Sequence, residues 1–276
     1  MSGSAGGNSD ARGGATAPAL FEGEVAPGVV RLALNRPSSR NALDESLIAA
    51  LHEAVRRHAA EPATRVLLIA AEGPAFCAGA DLRNMLERGR AGGEANLADA
   101  RALAEMLLAI RECPKPSVAL VQGAAFGGGV GLATACDVAI GSDAARFRLP
   151  EVQLGIVPAV ISPYVVEAIG PREARRWFLS GEPIDAERAR ALGLLHEVVP
   201  AMELATRGVE LARAIAAGAP GALAACKALL AGLAREPASA GTAHATAALL
   251  AELRAGTEGQ EGFLAALEKR APAWRE

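Results

Sequence analysis

The chain has 276 residues, of which 51% are hydrophobic and 21% charged, and its net charge is −3 at pH 7. This composition can fill a large core and excludes wholesale disorder. The slight acidic balance argues against sequence-independent nucleic-acid binding, while leaving room for a local basic patch around a small anion.

Residues 1–17, "MSGSAGGNSDARGGATA", are small and polar. They lack the apolar stretch of a secretory signal and the repeated arginines of an organelle presequence, so a disordered leader on a cytoplasmic protein is expected. "GVVRLALNRP" alternates as a strand up to Pro37, and "APG" before it is a turn between two short strands. Leu43 to Ala60 is an amphipathic helix, with Leu47, Leu51 and Val55 at i+4 spacing. "RVLLIAAEG" is a buried strand ending at Gly73. Residues 97–112 form a second amphipathic helix closed by "CPKP", and "SVALVQG" and "DVAIGS" are further strands. Strands alternating with helices indicate an α/β core, assigned to residues 18–200. Residues 201–276 are alanine-rich and helical, punctuated by Gly and Pro. "LLHEVVP" is a short strand-like piece before them.

Ser117 to Cys136 contains no charged residue and is long enough to span a bilayer. Its glycines and Gln122 favour a buried strand, a tight turn and a buried helix joined end to end, and no membrane segment is expected. The four cysteines, Cys77, Cys113, Cys136 and Cys226, form no C-x-x-C pair, and no His pair has metal-ligand spacing. Buried inert thiols and no metal site follow.

The glycine run "GAAFGGGVGLATACD", residues 123–137, needs a reason. Gly127, Gly129 and Gly131 give G-x-G-x-G, which misses the dinucleotide fingerprint, and Glu151 follows Pro150 rather than ending a strand. No Gly-Lys pair makes a phosphate loop, and no G-x-S-x-G elbow occurs. Glycines at a strand-to-helix turn also leave backbone N–H groups bare, next to the positive end of a helix dipole. Such donors stabilise an oxygen that gains charge. A second donor requires a second tight turn, and "GPAFCAGADLRNM" supplies one around Gly79. Each turn taken alone reads first as a packing feature.

Taken together, "FCAGADL", "PKPSVALVQGAAFGGGVGLATACDVAI" and "FRLPEVQLGIVP" resemble the enoyl-CoA hydratase/isomerase (crotonase) family. "LNRPSSRNAL", "EARRWFLSGEPIDAERARALGLLHEVV" and "EGFLAALEKRAPAW" extend the resemblance from about residue 20 to the C-terminus. It implies a superhelix of ββα units, with a helical C-terminal region that builds a homotrimer or a dimer of trimers. It implies an acyl-CoA thioester as ligand, CoA entering with the substrate and no resident cofactor. By position, the resemblance puts the oxyanion N–H groups at Ala80 and Gly128. Arg40, Ala42, Ala78 and Asp81 fall in segments that line the CoA entrance. Arg83 falls at a basic contact to the CoA phosphates, and Lys269 at a C-terminal lysine that reaches CoA, sometimes in a neighbouring subunit. Ordinary solvated charge is the alternative for Arg83 and Lys269.

Typical hydratases of this family carry two glutamates, and here those positions are Gly131 and Glu151. The stretches "GGGVGL" and "PAVISPYV" resemble the bacterial methylglutaconyl-CoA hydratase-like branch, which also lacks the first acid. Gly131, Ser162 and Tyr164 would then border the acyl pocket or position water, with capping and packing as the alternatives for Ser162 and Tyr164. The expected activity is hydration of a 2-enoyl-CoA to the 3-hydroxyacyl-CoA with Glu151 as the catalytic acid–base, branched or carboxylated acyl groups such as 3-methylglutaconyl included. An isomerase with Glu151 as sole base and a non-catalytic acyl-CoA binder are the competing readings.

Overall fold

The computed structural model describes residues 17–234 and 238–275. All but the last residue of the leader expected at 1–17 lie outside the described residues. A hairpin opens the fold: β1 (Leu20–Ala26) pairs antiparallel with β2 (Val29–Leu34) around the expected turn. Parallel strands β3 (Val66–Ala71), β4 (Ser117–Val121), β6 (Val138–Ser142) and β9 (Glu197–Val199) extend the sheet in the order β1-β2-β3-β4-β6-β9. A second sheet, β5-β7-β8, is built from Ala124–Phe126, Arg146–Arg148 and Ile184–Asp185.

The chain repeats one path. It runs through the large sheet, crosses to the small sheet or a single bridge beside it, and then enters a helix. β2 leads to the Leu43–Ala80 bridge and α1 (Glu45–Ala60). β3 leads to the Cys77–Ala125 and Ala80 bridges, then to α2 (Leu82–Arg90) and α3 (Gly93–Glu112). β4 leads to β5 and α4 (Gly128–Ala135), and β6 to β7 and α5 (Ser162–Ser180). This is the ββα superhelix that the resemblance implies. The uncharged stretch from Ser117 resolves into β4, β5 and α4, a strand, turn and helix as expected.

Both faces of the large sheet are covered, which explains why β3 is apolar throughout rather than alternating. Leu67, Ile69 and Ala71 face a core shared with α1, α3, α4 and α5. Val66, Leu68 and Ala70 face Leu204 and Ala212 of α7 (Leu204–Ala216). Although α7 lies beyond residue 200, it covers the sheet. Three helices come after it: α8 (Pro220–Leu233), tied back to the body by Lys227 on Asp137 (2.6 Å), α9 (Ala240–Ala255) and α10 (Thr257–Glu268). Between α5 and β9 lies α6 (Ala186–Leu192). The chain turns by 101° from the α7 segment into α8, and among the described residues no single helix is long and apolar enough to cross a membrane. Cys77, Cys113 and Cys136 are buried and unpaired, as expected, whereas Cys226 is exposed. Burial pushes the Cys77 and Cys136 thiols up to about 12.

Candidate active site

Two turns meet side by side, one after the Cys77–Ala125 bridge and one after β5. In the first, Gly79 adopts φ +97°, a conformation that L side chains disfavour. Its carbonyl accepts from Leu43 N–H (2.8 Å), and Asp81 N–H donates to Leu43 O (2.9 Å). The intervening Ala80 N–H is left without an acceptor among the described residues. In the second turn, Gly127 adopts φ +46° and donates to Arg148 O (2.9 Å). Gly128 is then the first residue of α4, so its N–H is one of the unpaired donors at a helix N-terminus. A Cβ built on Gly128 would lie 3.9 Å from Ala80 N, so the two free donors border one space. Gly129 allows the turns to close: a Cβ there would stand 2.3 Å from Cys77 O.

Glu151 opens a 3-10 turn, Glu151–Leu154, directly after Pro150. Its carboxyl rests on the glycine turn, with Oε1 2.9 Å from where a Gly127 Cβ would be. Oε2 is buried and has no hydrogen-bond partner among the described residues. Burial pushes the Glu151 carboxyl above its ordinary value, opposed by a smaller effect of its own backbone N–H. A part-buried acid with an orphaned oxygen, beside two orphaned N–H donors, is the arrangement expected of a proton-transfer site.

Gly131 is buried, and the room a side chain would take is filled. A Cβ there would be 2.2 Å from Ile161 Cγ2 and 2.7 Å from Ile161 Cβ. Gly131 therefore contributes packing with Ile161 rather than open pocket volume. Ser162 starts α5, and its hydroxyl donates to Ala159 O (2.8 Å), closing the preceding turn. Tyr164 packs against the main core and feels Glu112 and Arg111 of α3, and burial raises its phenol. These contacts fit the capping and packing alternatives for Ser162 and Tyr164, and among the described residues no hydrogen bond joins either to Glu151.

The entrance residues sit on two neighbouring loops. Ala78 N–H donates to Arg40 O (2.9 Å), and the Leu43–Ala80 bridge continues the contact. Arg40 and Arg83 are exposed, whereas Ala42 is buried and its carbonyl accepts from Arg36. Asp81 caps α2, accepting from Arg83 N–H (3.0 Å) and Asn84 N–H (3.3 Å), and faces Arg36 at 3.8 Å. Its carboxylate is engaged in holding the loop. Lys269 ends α10 in the left-handed conformation and is exposed. Its arm is tied to Arg65, just before β3, through Trp274 O (3.0 Å), while the entrance loops follow the other end of that strand. No described contact brings Lys269 to the site within one chain.

Sequence reasoning missed Asn41, a fully buried polar residue at φ +55°. Its amide donates to Glu72 O (2.9 Å) and Ala75 O (2.8 Å), and its Oδ1 accepts from Arg36 N–H (2.7 Å). Asn tolerates the left-handed region and can bridge backbone groups, so an Asn between two turn-like segments was the available signal. Among the described residues, no three His, Cys, Asp or Glu side chains converge to hold a metal.

Known proteins share this architecture. The sequence matches the family described as enoyl-CoA hydratase/isomerase over residues 24–276. It is 35% identical over 257 residues to the 2,3-dehydroadipyl-CoA hydratase of Escherichia coli K12, covering 90% of this chain and 95% of that protein. It is also 35% identical over 254 residues to the mevalonyl-coenzyme A hydratase of Aspergillus fumigatus, covering 90% and 92%. The crystal structure of an enoyl-CoA hydratase from Shewanella pealeana superposes with a TM-score of 0.89 at 38% identity, covering 93% of this chain and 96% of that one. With the ββα path, the paired free N–H groups and this match over nearly the whole chain, the protein belongs to the enoyl-CoA hydratase/isomerase family.

Proposed function

We propose that the protein hydrates a 2-enoyl-CoA thioester to the 3-hydroxyacyl-CoA. The observation that carries this reading is the Glu151 carboxyl, part-buried and with one oxygen unpartnered, seated on the turn that presents the Gly128 N–H. The thioester oxygen would lie between Ala80 N–H and Gly128 N–H. As Glu151 takes a proton from water, the hydroxide oxygen bonds to C3 and the C2–C3 π electrons move toward the thioester oxygen. The two N–H groups and the N-terminus of α4 stabilise that charge. The same carboxyl then returns its proton to C2 and is regenerated as the carboxylate.

Leu82 and Leu86 follow the Ala80 turn, and Leu154, Ile156 and Val157 follow Glu151, all exposed. They support a largely apolar acyl group, branched ones included. A distal carboxylate, as in 3-methylglutaconyl-CoA, has less support. The same proposal has CoA running past Arg40, Ala42, Ala78 and Arg83, with Asp81 shaping the loop. It includes a homotrimer or dimer of trimers in which a neighbouring copy brings Lys269, no resident cofactor, and a cytoplasmic site of action.

The filled space at Gly131 favours a second reading, double-bond isomerisation with Glu151 as the sole base, because no second acid has room to hold water. A substrate panel containing crotonyl-CoA, 3-methylglutaconyl-CoA and a 3-enoyl-CoA separates the two. Loss of the enoyl-thioester absorbance with a 3-hydroxyacyl product is expected. Conversion of the 3-enoyl substrate alone would replace hydration by isomerisation, and no turnover of any member would leave a non-catalytic acyl-CoA binder.

A further inference from the structure

We propose that Arg148 is a positioning residue that locks the turn carrying Glu151 to the turn carrying the Gly128 N–H. Arg148 is the last residue of β7 and pairs with Phe126 at the end of β5. Its carbonyl accepts from Gly127 N–H (2.9 Å), so its backbone touches the donor turn. Its side chain touches the acid turn: Nη2 donates to Oε1 of Gln153 (2.7 Å), two residues after Glu151. Nε donates to Gly181 O (2.8 Å), and the Gln153 amide donates to Ser180 O (3.3 Å). Arginine and glutamine together thus fasten the Glu151 turn to the end of α5, where carbonyls lack helical partners. Gly181 allows the approach, since a Cβ there would be 2.9 Å from Gln153 Nε2.

This clamp matters because the Glu151 carboxyl has little of its own to hold it. Among the described residues Oε2 has no partner, so the carboxyl takes its place from the backbone of its turn. The guanidinium bonds Gly181 through Nε and Gln153 through Nη2, two nitrogens held in one rigid fork, a geometry that the single nitrogen of a lysine does not reproduce.

The inference rests on Glu151 being the catalytic group. It is tested on the full chain with crotonyl-CoA, using Arg148→Met, Gln153→Ala and the double variant. The expected result is a kcat lowered by about tenfold or more with KM within about twofold, as for a misplaced but intact catalytic group. The acid limb of the rate profile should move to lower pH, because a loosened turn lets water reach the carboxyl. The double variant should lose no more than either single change, since both cut one clamp. An unchanged kcat and acid limb in Gln153→Ala overturns the proposal, and this surface variant decides the matter if Arg148→Met does not fold. Glu151→Gln is run beside them. If it keeps full turnover, the Glu151 reading fails by itself, and the clamp has no catalytic group to position.

Discussion

Burial raises the Glu151 carboxyl, and no partner on Oε2 offsets it. The sign of the resulting linkage is definite. Between its ordinary value and its raised folded value, the folded state holds more protons than the unfolded state, so stability falls as pH rises through that window. Activity that needs the carboxylate runs the opposite way and is lost as pH falls through the raised value. Glu151→Gln should therefore cut kcat at least ~100-fold while leaving the Tm at neutral pH equal to or above that of the parent. Calorimetry at two pH values on both proteins checks this, and a lower Tm in the variant at neutral pH would contradict it. Gly131 makes the converse case. Introducing the glutamate that the resemblance implies at this position in typical hydratases, Gly131→Glu, drives a side chain into Ile161, 2.2 Å from the new Cβ. Urea unfolding should show a loss of about 1–3 kcal/mol, partly relieved in an Ile161→Ala background, and turnover should not rise.

At the level of elements, α2 connects the donor turn to the solvent. It buries none of its residues, so its cap at Asp81 carries much of its order. Asp81→Ala should remove about 1 kcal/mol of local stability. Because α2 packs little, the loss should appear as faster hydrogen exchange across 82–90 rather than as a lower global Tm. The long elements were legible in the sequence. The Leu47, Leu51, Val55 stripe became α1 with Asp44 as its cap, and "RVLLIAAEG" became β3. The three-residue strands β5 and β7 and the two-residue β8 were not, because so few residues carry no period. Yet these short strands hold the site together, since β5 leads into Gly127 and β7 ends at Arg148. The glycine turns could be read from motif chemistry, whereas Glu151 was picked out by the family resemblance. The Arg148–Gln153 clamp and the Gly131–Ile161 contact could not, because they pair residues that only the folded chain brings together.

On the scale of the whole molecule, the last helices carry several large apolar residues exposed. Leu230 is 61% exposed, Leu250 56%, Phe263 54% and Leu267 82%. Scattered exposed leucines are ordinary, but so many on one arm call for a partner surface. The proposed trimer should sediment at three times 28.1 kDa, or six times if two trimers pair. Leu264→Asp combined with Leu267→Asp should shift it toward a single chain with the near-neutral-pH circular dichroism of the core retained. A parent protein that already sediments as one chain would remove the assembly from the proposal. The buried contact between Gly131 and Ile161 carries a consequence as well. A chain with this pair does not gain an acid at 131 through one tolerated change: the glutamate arriving first meets the isoleucine, and the isoleucine leaving first opens a hole in the core. Each single step costs stability before a second carboxyl has room, so packing alone holds position 131 to glycine.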